Sequence, residues 1–143
     1  MPSIFIQIPS YCDLELPKTI VSAISNATGK TSLSFGVSNV EREKNYTHIP
    51  KDFPSWVKFS YKTSIAPQNI GLQKSRKIAN SFYNGEDYYL QIDSHMRFDK
   101  DWDIKLIALL NIYKEIGFLK PLLTTYPPGY YYADDLTERF GMG

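Results

Sequence analysis

Cysteine, long apolar runs and net charge are all scarce in this chain of 143 residues. Its one cysteine, Cys12, can form neither an internal disulfide nor a cysteine zinc site. No apolar run approaches the roughly 20 residues that a membrane-spanning helix needs, so the sequence predicts no membrane span. The net charge of +1 gives no general attraction to a polyanion, and nucleic acid is therefore not an expected partner.

Several well-known sequence motifs are absent as well. The chain has no Gly-x-Gly-x-x-Gly, no phosphate-loop Gly-Lys-Ser/Thr and no Gly-x-Ser-x-Gly. Their absence argues against a dinucleotide dehydrogenase, a P-loop NTPase and an α/β-hydrolase. The first residues also lack the basic segment and the apolar stretch of a secretory signal peptide, so we expect a cytoplasmic location.

Strand-like and helix-like apolar patterns alternate along the chain. Strands are predicted at Ser3–Ile8, Thr31–Val37, Trp56–Tyr61, Asp87–Ile92 and Lys120–Tyr126. Helices are predicted at Leu14–Thr28, Asn69–Tyr83 and Asp101–Gly117, and a polar loop at Ser38–Pro54. Strands that alternate with helices indicate an α/β domain with a mainly parallel sheet flanked by helices.

Residues that directly follow a strand are the first candidates for a binding site, because ligands of such sheets bind at the carboxyl ends of the strands. We expect Pro9 to end the first strand, which places Pro9, Ser10, Tyr11 and Asp13 at this edge. Asp13 has two interpretations that stay open. It could contact the base or ribose of a nucleotide, or it could be the N-cap of the following helix.

Asp93 and His95 follow the fourth predicted strand and flank one residue, Ser94, so that both side chains can turn toward one point. A carboxylate and an imidazole suit a borderline divalent ion such as Mn²⁺ better than Ca²⁺. Two protein ligands would leave coordination positions open for substrate phosphates. The alternative is a chance match of a short pattern.

The segment between Asp52 and Glu86 contains no acidic residue and is strongly basic. Its cations are Lys58, Lys62, Lys74, Arg76 and Lys77. Arg76 is the best candidate to bind a diphosphate, because a guanidinium can donate two parallel hydrogen bonds to phosphate oxygens. The alternative is that these side chains are the solvated faces of a strand and a helix.

The block from Gly85 to Phe98, followed by Trp102 and Asp103, closely resembles the GlcNAc-transferase family. The members of that family include cytoplasmic enzymes that add GlcNAc to a hydroxyproline of a ubiquitin-ligase subunit. Weaker similarities to the same family lie at Ile4–Asp13, Ser75–Ala79 and Lys120–Pro128. The likeness thus extends over nearly the whole chain.

The resemblance implies a GT-A fold, as in nucleotide-diphospho-sugar transferases. Asp93-Ser94-His95 would be this chain's version of the Asp-x-Asp metal motif, as in the more distantly similar mucin-type GalNAc-transferases. The resemblance implies Mn²⁺ on Asp93 and His95, and transfer of a sugar, GlcNAc, from a UDP-sugar to a protein or glycan hydroxyl. The donor-binding residues would be Pro9, Ser10, Tyr11, Asp13, Arg76, Asp93 and Ser94.

The chain ends at Gly143, whereas the family that it resembles continues well beyond the block that ends at Pro128. We therefore expect residues 1–143 to form one donor-binding domain that lacks the acceptor half. No general base is identifiable in the sequence. The alternative function is a non-catalytic module that binds a nucleotide-sugar or another protein, and the tyrosine-rich end could support a homo-oligomer.

Overall fold

The computed structural model describes residues 1–43, 47–65 and 71–141. It contains two compact units, Met1–Ile107 and Ala108–Gly143. The expectation of one donor-binding domain stays a prediction. None of the helices in the described ranges is both long and apolar enough to cross a lipid bilayer.

The first unit is built on a parallel sheet of four strands. They are β1 (Ser3–Tyr11), β2 (Ser32–Glu41), β3 (Val57–Ile65) and β4 (Tyr88–Gln91), in the order β3-β2-β1-β4. The helices are α1 (Leu16–Ser25), α2 (Leu72–Asn80) and α3 (Trp102–Glu115). The predicted α/β class with a parallel sheet and flanking helices is thereby confirmed, and the GT-A assignment stays a prediction.

One face of the sheet carries the main hydrophobic core. Alternate side chains of neighbouring strands share this face, because successive residues of a strand point to opposite sides. The core residues of β1, β2 and α1 are Ile4, Ile6, Ile8, Leu33, Phe35, Val37, Leu16, Ile20 and Ala23. Trp102, at the start of α3, joins this core and donates its indole N–H to the carbonyl oxygen of Ala23 at 2.8 Å.

Helix α2 packs on the opposite face of the sheet, against β1 and β2. Gly36 of β2 makes this close approach possible. A Cβ atom there would lie 2.4 Å from Cζ of Phe5 and 2.6 Å from the carbonyl oxygen of Ala79. Toward the carboxyl end of the sheet, the contact becomes polar: the side-chain amide of Gln7 donates to the carbonyl oxygen of Arg76 at 2.9 Å.

The expectation that Pro9 ends the first strand is wrong, since β1 continues to Tyr11. The N–H of Ile92 donates to the carbonyl of Gln7, so odd-numbered residues of β1 turn their backbone groups toward β4. The pairing of β1 with β4 ends at Gln7. The N–H that Pro9 lacks would point toward β4, beyond the last bond of that ladder, so Pro9 ends only the pairing with β4, whereas the pairing with β2 continues to Tyr11.

Other predicted boundaries also shift. The strand β2 continues to Glu41, so Ser38–Glu41 belongs to the sheet and not to the predicted loop. The predicted helices exist but are shorter, and the start of the second one, at Asn69, lies outside the described residues. Local apolar patterns locate an element more reliably than they locate its ends.

The strand predicted at Lys120–Tyr126 is wrong, because this segment has irregular backbone. Pro121 lacks the N–H that a strand would need for its ladder. The second unit instead contains an antiparallel hairpin of β5 (Tyr130–Tyr132) and β6 (Glu138–Phe140), which the sequence analysis missed. Asp135 shapes its turn by accepting hydrogen bonds from the N–H and the hydroxyl of Thr137.

We expect Gly36→Ala to lower the free energy of unfolding by about 2–3 kcal/mol, because the added methyl group overlaps Phe5 and the backbone of α2. Urea denaturation followed by the fluorescence of Trp56 and Trp102 measures the change. Gly71→Ala is the matched control, since a Cβ there meets nothing within 4 Å. Its cost as a change of the α2 N-cap is below ~1 kcal/mol. Equal losses for the two variants would contradict this account of the α2 contact.

Candidate functional site

The strand order of the sheet reverses between β1 and β4. From β1 the chain passes to β2 and β3 on one side, whereas β4 lies on the other side. Such a switch point leaves a crevice at the carboxyl ends of the two strands, and ligands of open α/β sheets bind there. The segments at these strand ends, Tyr11–Asp13 and Asp93–His95, are among those in which the sequence predicted a site.

A pocket of about 310 Å³ opens at this edge of the sheet, within the first unit. Its volume is at the lower end of the range for small-molecule sites, about 300–1,000 Å³. The residues that line it are Pro9, Ser10, Tyr11, Asp13, Val40, Leu72, Ser75, Asp93, Ser94 and His95. Every predicted site residue except Arg76 therefore lies in one pocket wall. That these residues bind a ligand stays a prediction.

Asp13 links the two segments. One carboxylate oxygen accepts the N–H of Glu15 at 2.9 Å. The other accepts the hydroxyl of Ser94 at 2.5 Å and lies 2.9 Å from Nδ1 of His95. Burial by itself raises the pKa of Asp13, but the hydrogen bonds from Ser94, His95 and Glu15 outweigh burial and hold it below its ordinary value. The residue at the N-cap of α1 is Glu15, which makes no side-chain cap hydrogen bond, whereas Asp13 accepts the N–H of Glu15 in the turn that leads into the helix, a bond of the capping kind.

Helix α1 holds the segment that carries His95. The buried hydroxyl of Thr19 donates to the carbonyl oxygen of Ser94 at 2.6 Å and accepts the N–H of Met96 at 2.9 Å. The hydroxyl of Ser22 accepts the N–H of Phe98 at 3.0 Å. Because these bonds fix the backbone on both sides of His95, the imidazole is attached to a rigid support although its side chain is 60% exposed.

Three polar groups of the pocket wall lack partners among the described residues. The carboxylate of Asp93 is exposed and makes no hydrogen bond or ion pair there, and Nε2 of His95 makes none either. Ser10 has a buried hydroxyl oxygen without a hydrogen bond. Buried polar groups ordinarily have partners, so this hydroxyl is a group that a bound molecule or an ordered water would satisfy.

The chemistry of Asp93 and His95, one carboxylate and one imidazole, fits a borderline divalent cation. In the described ranges no three His, Cys, Asp or Glu side chains come together as a complete metal site. A metal ion at this wall would thus be held by two side chains, with its remaining positions open to oxygen atoms of a ligand or of water.

Arg76 is not part of the pocket wall. It lies on α2 directly after Ser75, which does line the pocket. Its Nε is buried and has no hydrogen-bond partner among the described residues. The structure therefore places Arg76 one residue from the wall, with a guanidinium nitrogen that the described part of the chain does not satisfy.

Val40, Leu72 and Ser75 line the pocket and were missed by the sequence analysis. The first of them could have been found from the rule that sites follow strands, if the end of β2 had been located correctly. The other two belong to α2, and no local pattern shows which strand ends a helix packs against. Their place depends on the contact of α2 with β1 and β2.

The comparisons with known proteins give one match. A family model described as glycosyltransferase (GlcNAc) matches residues 66–140, just over half of the chain. The matched range includes Arg76 and Asp93–His95, whereas the residues of β1 precede it. No curated protein and no solved structure matches the chain.

We expect Thr19→Val to lower the free energy of unfolding by about 1–3 kcal/mol, because it removes a buried hydroxyl that makes two hydrogen bonds while it keeps the side-chain shape. Hydrogen exchange should show the largest loss of protection at Met96, whose N–H loses its acceptor. Thr63→Val, at an exposed position of β3, is the matched control and should change little. Unchanged protection at Met96 in Thr19→Val would contradict the role of this hydroxyl.

Proposed function

Because this chain belongs to the GlcNAc family of glycosyltransferases, we propose that it binds a UDP-sugar, with GlcNAc as the sugar, and transfers it to a hydroxyl group of a protein or glycan. The family match supports sugar transfer in general and implies a sugar donor and an acceptor. The identity of the donor, its metal dependence and a cytoplasmic location are parts of the proposal. They rest on the resemblance of Gly85–Phe98 and on the chemistry of the pocket.

The observation that carries the proposal is the position of the family-matched segment Asp93–His95 in the wall of the switch-point pocket. Open α/β sheets bind their ligands at such a place, and the pocket offers surfaces of two kinds. Tyr11 and Leu72 present half-exposed apolar side chains to it, with 59% and 55% exposure. Asp93 and His95 supply the polar groups. A nucleotide, which joins a flat ring to a diphosphate, suits this division.

The start of α2 supports the placement of a diphosphate at this wall. Leu72 and Ser75, both near the start of α2, line the pocket. The N-terminus of a helix favours an anion, because its first N–H groups have no partners within the helix and its dipole is positive there. No acidic residue lies in the first turn of α2 to oppose this attraction.

In the proposed reaction Asp93 and His95 would hold Mn²⁺, which when bound would neutralise the charge of the leaving diphosphate. The carboxylate of Asp93 makes no hydrogen bond or ion pair with the described residues, so it is free to serve as a ligand. Tyr11 and Leu72 would orient the donor. Arg76, if its side chain turns toward the pocket, would share the charge of the diphosphate.

A second candidate function is a module that binds the nucleotide-sugar without turnover. The observation in its favour is that both carboxylates of the described pocket wall, Asp13 and Asp93, already have another role. Asp13 is bound by Ser94 and His95, and Asp93 is assigned to the metal ion. Neither is left to activate an acceptor hydroxyl as a general base. A UDP-GlcNAc hydrolysis and transfer assay distinguishes the two functions, since only the enzyme releases UDP.

We expect UDP to bind only when a divalent ion is present, and Asp93→Ala to remove this binding. The reason is that the variant loses one of the two proposed protein ligands of the metal ion. Isothermal titration with UDP, with and without Mn²⁺, measures the effect. Asp99→Ala removes an exposed carboxylate of the same segment outside the pocket wall and is the matched control. Unchanged UDP affinity in a folded Asp93→Ala variant with Mn²⁺ present would show that Asp93 is not a ligand of the metal ion.

We expect Arg76→Ala to weaken UDP binding more than Lys58→Ala or Lys62→Ala does. A charge-assisted hydrogen bond to phosphate is worth about 1.5–3 kcal/mol, which is roughly a 10- to 150-fold change in affinity. Exposed lysines on the edge strand β3 contribute ~0–1 kcal/mol. The same titration, made with variants whose circular dichroism is unchanged, compares them. Equal effects of all three substitutions would mean that Arg76 makes no specific contact and that UDP is attracted only by the summed positive charge of this segment.

A further inference from the structure

Asp13 is surrounded by hydrogen-bond donors of its own chain. Its Oδ1 accepts the N–H of Glu15, and its Oδ2 is shared by the hydroxyl of Ser94 and Nδ1 of His95. Its side chain is only 19% exposed, against 60% for His95. A carboxylate in this position is poorly placed to read the base or ribose of a nucleotide. Its contacts lie with the segment that carries the proposed metal ligands.

We propose that Asp13 is a positioning residue, which accepts a hydrogen bond from the protonated Nδ1 of His95 and thereby leaves Nε2 as the nitrogen whose lone pair can bind a metal ion. An aspartate is ionised at neutral pH and can only accept hydrogen bonds. The Nδ1 atom, 2.9 Å from Oδ2, must therefore carry the proton, and in the neutral ring Nε2 then has the free lone pair.

The local fold supports this role through the backbone. Cys12 has a left-handed conformation, with φ of 48°, which turns the chain sharply between the end of β1 and Asp13. The N–H of Cys12 donates to the carbonyl oxygen of Val40 at 2.8 Å, so the chain is still hydrogen-bonded to β2 where the turn begins. Because α1 fixes Ser94 and Met96 through Thr19, both partners of the Asp13–His95 hydrogen bond have supported backbones.

The expected effect of Asp13 on metal affinity rests on the proposed function, whereas the tautomer of His95 does not. Histidines that bind metals ordinarily donate their second ring N–H to a carboxylate or carbonyl, which fixes the tautomer and the orientation of the ring. Loss of such a partner typically lowers metal affinity about 10- to 100-fold. We expect a loss of this size when the Asp13 carboxylate is removed.

The tautomer is tested in the full chain, labelled with ¹⁵N-histidine and free of metal, at a pH where the imidazole is neutral. Two-bond ¹⁵N–¹H spectra should show His95 with a protonated Nδ1 in the wild type and with Nε2 predominantly protonated in Asp13→Ala. Ser94→Ala removes the other hydrogen bond to the same oxygen and should keep the wild-type tautomer. His48, the second histidine of the chain, is the internal reference.

The wild-type spectrum alone can overturn the proposal, so it stays testable even if Asp13→Ala fails to fold. Protonated Nε2 in the wild type, or an unchanged tautomer in folded Asp13→Ala, would show that Asp13 does not position His95. Asp13→Asn, whose amide oxygen is a weaker acceptor, should shift the population in the same direction but by less.

The metal part is tested by electron paramagnetic resonance titration of Mn²⁺ without nucleotide. Affinity should fall 10- to 100-fold in Asp13→Ala and should be kept in Asp99→Ala, which removes an exposed carboxylate outside the pocket wall. Equal Mn²⁺ affinity in wild type and Asp13→Ala overturns the metal-positioning role. If the wild type binds no Mn²⁺, the proposed metal site fails, while the spectra still decide the tautomer. The two failures are thus distinguishable.

Discussion

The candidate site depends above all on the buried hydroxyl of Thr19. The strand β4 pairs with β1 over Tyr88–Gln91, the N–H of Ile92 makes one more bond to Gln7, and the chain then leaves the sheet. From there the sheet no longer determines where the backbone lies. The Thr19 hydroxyl takes the place of a ladder partner, because it donates to the carbonyl oxygen of Ser94 and accepts the N–H of Met96. In a buried environment, leaving these groups without partners would cost more than an ordinary hydrogen bond contributes.

The two faces of the sheet contribute to the site in different ways. On the face that carries the main core, α1 is fixed by apolar contacts and therefore provides a rigid base for the Asp93–His95 segment. On the other face, the absence of a side chain at Gly36 lets α2 approach closely. This approach brings Leu72 and Ser75 to the pocket wall. Packing on both faces of the sheet thus determines which residues line a pocket that lies outside the core.

The parts of this molecule that follow local rules could be predicted from its sequence. Short apolar runs, nearly continuous in the first strand and alternating in the second and third, located strands of the sheet, and the position after a strand pointed to Asp93 and His95. Pro9 misled the prediction because its effect depends on which side of β1 still has a partner, and this is a property of the sheet. The β5–β6 hairpin was missed because its strands have only three residues each, too few to show an apolar pattern.

The role of Asp13 shows the same limit within the site. Its partner His95 lies 82 positions further along the chain, and no periodicity connects the two. Sequence reasoning could place Asp13 after a strand and then choose between a nucleotide contact and a helix cap. The hydrogen bond from Glu15 is of the capping kind and the nucleotide contact stays a prediction, but neither choice includes the bonds of the carboxylate to Ser94 and His95. The pairing of β1 with β4, together with the hydrogen bonds of Thr19 beyond that pairing, brings these segments together.

The two carboxylates of the described pocket wall differ because of this arrangement. Asp13 is largely buried and bonded by groups of the protein, so its charge is already compensated inside the chain. Asp93 is exposed and makes no such bond with the described residues, so its charge acts on whatever enters the pocket. A bare carboxylate repels a diphosphate, and a cation between the two would turn that repulsion into attraction. In the proposed function the charge of Asp93 is therefore what makes donor binding conditional on a metal ion.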